Sequence, residues 1–178
     1  APTKSPRRAA LPMAEPLPGR VRHLVIVLGD QLDAQSSALQ EFDPTQDVVW
    51  MAEVDQESSH VWSAKQRIAV FLSAMRHFAQ ELINQGYPLH YTQLDDADNS
   101  GTLAGELCKA IAKYQPAQLL MTAPGDWRVL KSIQATAKAA SLPLQILDDP
   151  HFYTTVRDFA AHAKGRKQLR MEFWYREL

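Results

Sequence analysis

The chain has 178 residues, 46% of them hydrophobic, and a net charge of -1, which are values typical of a single folded domain. This composition excludes a disordered chain, a collagen and a disulfide scaffold, and the balanced charge leaves no global basic field to hold nucleic acid. Cys108 is the single cysteine, so internal disulfides and CxxC metal or cluster sites are excluded, and we expect a cytoplasmic location.

The first twenty residues differ from the rest of the chain. Residues 1–20 hold five of the eleven prolines, several basic residues and no apolar period. They lack the apolar central stretch of a signal peptide, so we predict a disordered leader. The chain contains no run of eighteen apolar residues, and we therefore expect no membrane contact.

Five short apolar runs predict buried strands that alternate with helices. The strands are His23–Gly29, Asp47–Val54, Pro88–Leu94, Gln118–Pro124 and Leu142–Asp149. The clearest helix, Ser59–Gln85, carries one continuous apolar face formed by Ile68, Leu72, Met75, Ala79 and Leu82, which Phe71 and Phe78 widen. Weaker helices are predicted at Ala34–Glu41, Thr102–Tyr114 and Asp126–Ala140. This alternation predicts a Rossmann-like α/β fold, an open parallel sheet with helices on both faces.

In such a sheet, ligands bind beyond the carboxyl ends of the strands, where the strand order reverses. Each predicted strand leads into carboxylates there: Asp30; then Glu53, Asp55 and Glu57; then Asp95, Asp96 and Asp98; then Asp126; then Asp148 and Asp149. Asp126 is well placed to cap the helix that it precedes, and Asp95 to Asp98 are typical of a solvated turn. Asp30 directly follows a buried strand in the first crossover, which favours a ligand role.

The ligand chemistry is constrained by motifs that the chain lacks. There is no GxGxxG and no GxxxxGK[ST], so a phosphate-binding loop is not predicted. Two possibilities remain open. One is a divalent metal held by Asp30 and a second carboxylate, as in a phosphoryl-transfer or receiver-type domain. The other is a neutral heterocycle whose ring N–H groups donate to Asp30, Glu53 or Glu57. The six histidines are scattered, and no nucleophile with a base is recognisable, so no catalytic or metal residue is assigned.

After Asp149 the pattern changes to two helical pieces separated by Gly165. Phe173, Trp174 and Tyr175 are consecutive, and on a helix they point about 100° apart, so they cannot all face one core. We expect Leu169 and Phe173 to face the α/β domain, with Trp174 and Tyr175 turned toward a missing neighbour. Poor packing after Gly165, self-association through the terminal helix or a partner-binding role would follow.

Several segments together resemble one family. They are VLGDQL (27–32), EV (53–54), AVFLSAMRHFAQEL (69–82), LDDADNSGT (94–102), PGDWR (124–128) and GRKQLRMEFWYRE (165–177). The family is the deoxyribodipyrimidine photolyase-related branch of the photolyase and cryptochrome superfamily, which includes the bacterial (6-4) photolyases with an iron–sulfur cluster. The resemblance covers about residues 21–178.

The resemblance implies strand order 3-2-1-4-5 and an antenna domain at 21–150, with 151–178 beginning the linker to a missing helical domain. The antenna is a 6,7-dimethyl-8-ribityllumazine type of chromophore, while FAD, the [4Fe-4S] cluster and DNA contacts belong to the missing part. The matching antenna-site positions are Gly29, Asp30, Gln31, Glu53, Val54, Glu57 and His60. The implied role is light-dependent DNA repair or blue-light sensing, with no catalysis by this chain alone.

Overall fold

A parallel five-stranded sheet forms the centre of the molecule. The computed structural model describes residues 20–56 and 63–178. The strands are β1 (His23–Ile26), β2 (Val48–Ala52), β3 (Leu89–Thr92), β4 (Gln118–Thr122) and β5 (Leu144–Leu147). They pair in the order β3-β2-β1-β4-β5, and every pair is parallel. Both the predicted parallel sheet and the strand order are confirmed.

The middle strands are apolar on both faces because helices cover both sides. All five residues of β2 are buried. Val48 and Trp50 point into one core cluster, whereas Val49 and Met51 point into the other. Since side chains alternate along a strand, this apolar run supplies both cores at once.

Helices divide between the two faces and complete three layers. Helix α1 (Lys65–Asn84) buries its apolar face on one side of the sheet. Helices α2 (Leu103–Tyr114) and α3 (Trp127–Ala139) bury theirs on the other. Each helix of this second pair starts at a side-chain cap: Thr102 accepts from the Gly105 N–H, and Asp126 accepts from the Arg128 N–H. The predicted capping role of Asp126 is therefore confirmed.

Two helix predictions need correction. The segment expected to be a helix at Ala34–Glu41 forms only a 3-10 turn at Ser37–Leu39. Ala38 and Leu39 are the buried residues that anchor this turn, and the apolar stripe is too short to support a helix. The long helix was expected from Ser59, but Ser63 and Ala64 are not helical and it begins at Lys65. Residues 59–62 of the predicted helix and residues 1–19 of the predicted leader lie outside the described residues.

The last part of the chain contains two short helices, α4 (Val156–Ala163) and α5 (Met171–Glu177). Trp174 is only 8% exposed, and its ring packs 5.6 Å from Phe159 and 4.8 Å from His162, centroid to centroid, so the prediction that it is turned toward a missing neighbour is wrong. Leu169 and Phe173 are 47% and 44% exposed, so the prediction that this pair faces the α/β domain is wrong. The physical reason is that α5 packs on α4 rather than on the sheet. Tyr175 stays exposed, as expected.

Across the described ranges, no helix combines the length and the apolar character that crossing a bilayer requires.

Candidate ligand-binding site

A pocket of about 290 Å³ lies at the carboxyl ends of the central strands. The chain leaves β1 toward β2 on one side and returns to β4 on the other, so β1 and β4 flank the point where strand order reverses. Small-molecule sites commonly occupy about 300–1,000 Å³, so this pocket suits one compact ring system better than a dinucleotide.

The pocket wall combines strand ends with the first half of α1. The strand ends contribute Val27, Leu28, Gly29 and Asp30 at β1, Ala52, Glu53 and Val54 at β2, and Pro124 and Asp126 after β4. Helix α1 contributes Arg67, Ile68, Phe71, Leu72 and Met75. Ser63 from the segment before α1, and Leu103, Arg128 and Val129 from the helices opposite, complete the lining. Most of these side chains are apolar, and the charged ones contribute the polar part of the lining.

Gly29 lets α1 approach the end of β1. A Cβ placed on Gly29 would lie 2.5 Å from Phe71 Cζ and 2.8 Å from Met75 Sδ, well inside van der Waals contact. Glycine is therefore needed for the aromatic ring to lie against the backbone at this point. Phe71 is 38% exposed and offers a flat apolar surface to the pocket.

Among the described residues that line the pocket, Asp30 and Arg67 are the charged groups that other charges do not neutralise. Both line the pocket and both are exposed. Neither one forms an ion pair with another residue of the described ranges, whereas the other charged lining residues do. A bound molecule could therefore use Asp30 as an acceptor and Arg67 as a donor.

Asp126 and Arg128 form a second polar group at the edge of the pocket. The Arg128 guanidinium donates to the Asp126 carboxylate at 2.5 Å, and the backbone N–H of Arg128 donates to the same carboxylate at 2.7 Å. Both bonds stabilise the charged carboxylate and lower the pKa of Asp126. The helix cap and the ion pair both engage this side chain, which remains 36% exposed.

Glu53 is held in a buried network rather than left open. Its carboxylate accepts two bonds of 2.7 Å from the Arg76 guanidinium, one of 2.9 Å from the Leu94 N–H and one from the Tyr91 hydroxyl. The side chain of Asn99 donates to the Glu53 carbonyl at 2.8 Å. Burial and the bond to Glu53 raise the pKa of Tyr91, so this hydroxyl remains a donor.

The remaining predicted site residues have different positions. Val54 is 3% exposed and lines the pocket beside Glu53. Gln31 does not line it, because its side-chain amide donates to the Ala123 carbonyl at 2.8 Å and ties the β1 loop to the end of β4. Glu57 and His60 lie outside the described residues.

Sequence reasoning missed the pocket wall supplied by α1. The periodicity places Phe71 and Ile68 on the apolar face of the helix and gives no indication of a role for Arg67. The available signal was the length of that face: Met75, Phe78, Ala79 and Leu82 cover the sheet, so the preceding two turns reach past the strand ends. An apolar stripe longer than the sheet that it covers indicates a ligand-facing end.

Within residues 20–56 and 63–178, no group of three or more His, Cys, Asp or Glu side chains is arranged to hold a metal ion. The metal interpretation needs Asp30 and a second carboxylate, and two carboxylates at the strand ends, Asp30 and Glu53, differ in availability. Asp30 is exposed, while the Glu53 carboxylate is taken up by protein donors.

The sequence matches the family described as "Deoxyribodipyrimidine photo-lyase-related protein" over residues 25–178. It is also 43% identical, over 155 residues, to a protein of Agrobacterium fabrum named "(6-4) photolyase". That alignment covers 87% of this chain and 31% of the relative, so the chain spans about a third of the relative's length.

Proposed function

The chain belongs to the deoxyribodipyrimidine photolyase-related family, and from this premise we propose that it binds a light-absorbing antenna chromophore of the lumazine or flavin type. When bound, such a chromophore absorbs light and passes the excitation to a flavin elsewhere in a photolyase-like protein. The observation that carries the proposal is the pocket at the strand-order reversal, which combines apolar walls with an exposed carboxylate.

The pocket residues fit a planar heterocycle. Phe71 offers a ring against which another ring can stack, at a typical aromatic spacing of about 4.5–7 Å between centroids. Asp30 is the open acceptor for ring N–H groups, and a charged acceptor makes the stronger kind of hydrogen bond. Gly29 and Val54 give the ring an apolar edge. Of the predicted site residues, these three are the ones for which we propose direct contact.

Glu53 has a supporting role in this proposal. Because protein donors occupy its carboxylate, it fixes the end of β2 and the 93–99 turn instead of accepting from the ligand. Gln31 supports the opposite side in the same way, since its bond to Ala123 joins two strand ends that flank the pocket.

The activity of the longer protein is also a proposal. In a protein like the relative, we propose that a helical domain carries FAD, a [4Fe-4S] cluster and the DNA-binding surface, for light-dependent repair or blue-light sensing. With Cys108 as its single cysteine, this chain cannot supply the several thiolates that such a cluster requires. DNA contact would then require the longer protein.

We further propose that α5 contributes to an interface. Its Phe173 and Tyr175 are 44% and 66% exposed, and Leu169 and Met171 beside them are 47% and 48% exposed. This apolar surface could contact the helical domain or, in its absence, a second copy of the chain. Sedimentation of the chain with and without residues 165–178 would test the second outcome, which predicts weaker association after truncation.

The binding proposal is tested by titrating the chain with 6,7-dimethyl-8-ribityllumazine, riboflavin and ATP with magnesium, using ligand fluorescence or calorimetry. We expect the heterocycles to bind more tightly than ATP. Asp30→Ala should cost about 1.5–3 kcal/mol of binding free energy, the range for one charged hydrogen bond. Asp98→Asn changes another exposed carboxylate outside the pocket and should leave binding unchanged. Tighter binding of ATP with magnesium would contradict the proposal.

A further inference from the structure

Within residues 20–56 and 63–178, the charged side chains that line the pocket form two neutralised pairs and leave two open groups. Glu53 pairs with Arg76 at 2.7 Å, and Asp126 pairs with Arg128 at 2.5 Å, so these four charges cancel. Asp30 and Arg67 both line the pocket. Asp30 accounts for one open negative charge, and an open positive charge remains on Arg67. A ligand that only donates N–H groups would use one of these groups and leave the other without a partner.

The two open groups line the same pocket as the aromatic ring of Phe71. Arg67 and Phe71 are four residues apart on α1, a spacing that puts their side chains on the same helix face with Cβ atoms about 5–6 Å apart. Phe71 reaches the backbone of Gly29, and Asp30 is the next residue along. A ring stacked on Phe71 therefore lies in the pocket that both Asp30 and Arg67 line, where Asp30 can accept from its N–H groups and Arg67 can donate to a substituent.

Nothing on the first turn of α1 offsets the charge of Arg67. That turn contains no acidic residue, and Lys65 adds a second positive charge. A guanidinium binds phosphate or carboxylate through two parallel N–H···O bonds, which gives it both strength and a preferred geometry. Apolar walls next to it strengthen this attraction because they exclude part of the water.

We propose that Arg67 makes this pocket selective for a heterocycle that carries an anionic substituent, such as a phosphate on its side chain. The inference rests on the proposed function, because it specifies the class of ligand that the same pocket takes. It assigns Asp30 to the ring and Arg67 to the substituent, and it thereby fixes which way round the ligand binds.

Riboflavin and flavin mononucleotide are suitable probes because they differ only in a terminal phosphate. At low ionic strength the native chain should bind the phosphorylated flavin about fivefold more tightly, the upper value for a solvent-exposed ion pair. Added salt should reduce this ratio, since it screens exposed charges. Arg67→Gln should bring this ratio of affinities close to one.

Lys65→Gln is the matched control, since it removes a positive charge from the same helix turn without altering the pocket lining. It should preserve the preference for the phosphorylated flavin. Equal affinities in the native chain, or a preference that survives in Arg67→Gln, would overturn the inference and leave the proposed function standing. Binding of the lumazine with no binding of either flavin would also overturn the inference alone. Failure of all three compounds to bind would overturn both.

Discussion

Replacing Glu53 with glutamine tests whether a buried charge network holds the carboxyl end of β2. In the native chain the Glu53 carboxylate is 0% exposed and accepts from Arg76, Tyr91 and the Leu94 N–H. Glutamine keeps the shape of the side chain but removes its negative charge. It also turns one acceptor oxygen into a donor group, so at least one of the surrounding donors loses its acceptor.

The magnitude follows from the burial of the two partners. Removing one partner of a buried ion pair costs about 3–5 kcal/mol. Arg76 keeps 31% of its side chain exposed, so water solvates part of the freed guanidinium. We therefore expect Glu53→Gln to lower the free energy of unfolding by about 3 kcal/mol, the lower end of that range.

Urea denaturation followed by far-UV circular dichroism measures this loss. Asp95→Asn is the matched control: Asp95 also lies near Arg76, at 3.6 Å, but is 81% exposed. It should change the free energy of unfolding by no more than about 0.5 kcal/mol. A loss below about 1 kcal/mol for Glu53→Gln, or equal losses in both variants, would show that the Glu53 network does not hold the end of β2.

Three further predictions concern other parts of the molecule. Burial lowers the pKa of His90 from 6.5 to about 4, so between these pH values the unfolded chain takes up a proton that the folded chain does not. The free energy of unfolding should therefore fall by about 3 kcal/mol as the pH falls from about 6.5 to about 4. His90→Gln should flatten this pH dependence, measured by urea titrations at several pH values. Gly29→Ala should push Phe71 away from β1, cost about 1–3 kcal/mol of stability and weaken lumazine binding; unchanged binding would contradict the role given to this contact. Trp174→Ala should speed proteolysis after Gly165, whereas Tyr175→Ala should not, because the Trp174 side chain is 8% exposed and the Tyr175 side chain is 66% exposed. Equal rates of proteolysis in the two variants would show that α5 is not held by the Trp174 contact.

The fold could be predicted because its signals are local. Short apolar runs mark buried strands, and Asp126 marks a helix start by its residue type alone. The strand order came from the resemblance, since periodicity does not encode which strands are neighbours. The side of α5 that is buried could not be predicted, because it depends on docking to α4 through Trp174 and His162, not on an apolar stripe facing the sheet.

The candidate site was predictable only in part. Topology places Asp30 at the rim, and the structure has it lining the pocket. The availability of Glu53 could not be read from the sequence, because its partner Arg76 is 23 residues away on another element. Arg67 and Phe71 were missed as pocket residues for a similar reason. Their position depends on how far α1 extends beyond the sheet, which is a property of packing.

The most direct test of ligand binding at the strand-order reversal is an amide chemical-shift titration of the isotope-labelled chain with 6,7-dimethyl-8-ribityllumazine. We expect saturable shifts concentrated at the Gly29, Asp30 and Val54 amides and along the first two turns of α1, which all border the pocket. Amides of α4, which contributes no residue to the pocket lining, should be unaffected. Saturable shifts confined to another face of the molecule, or no saturable shifts at all, would contradict the assignment of this pocket as the antenna site.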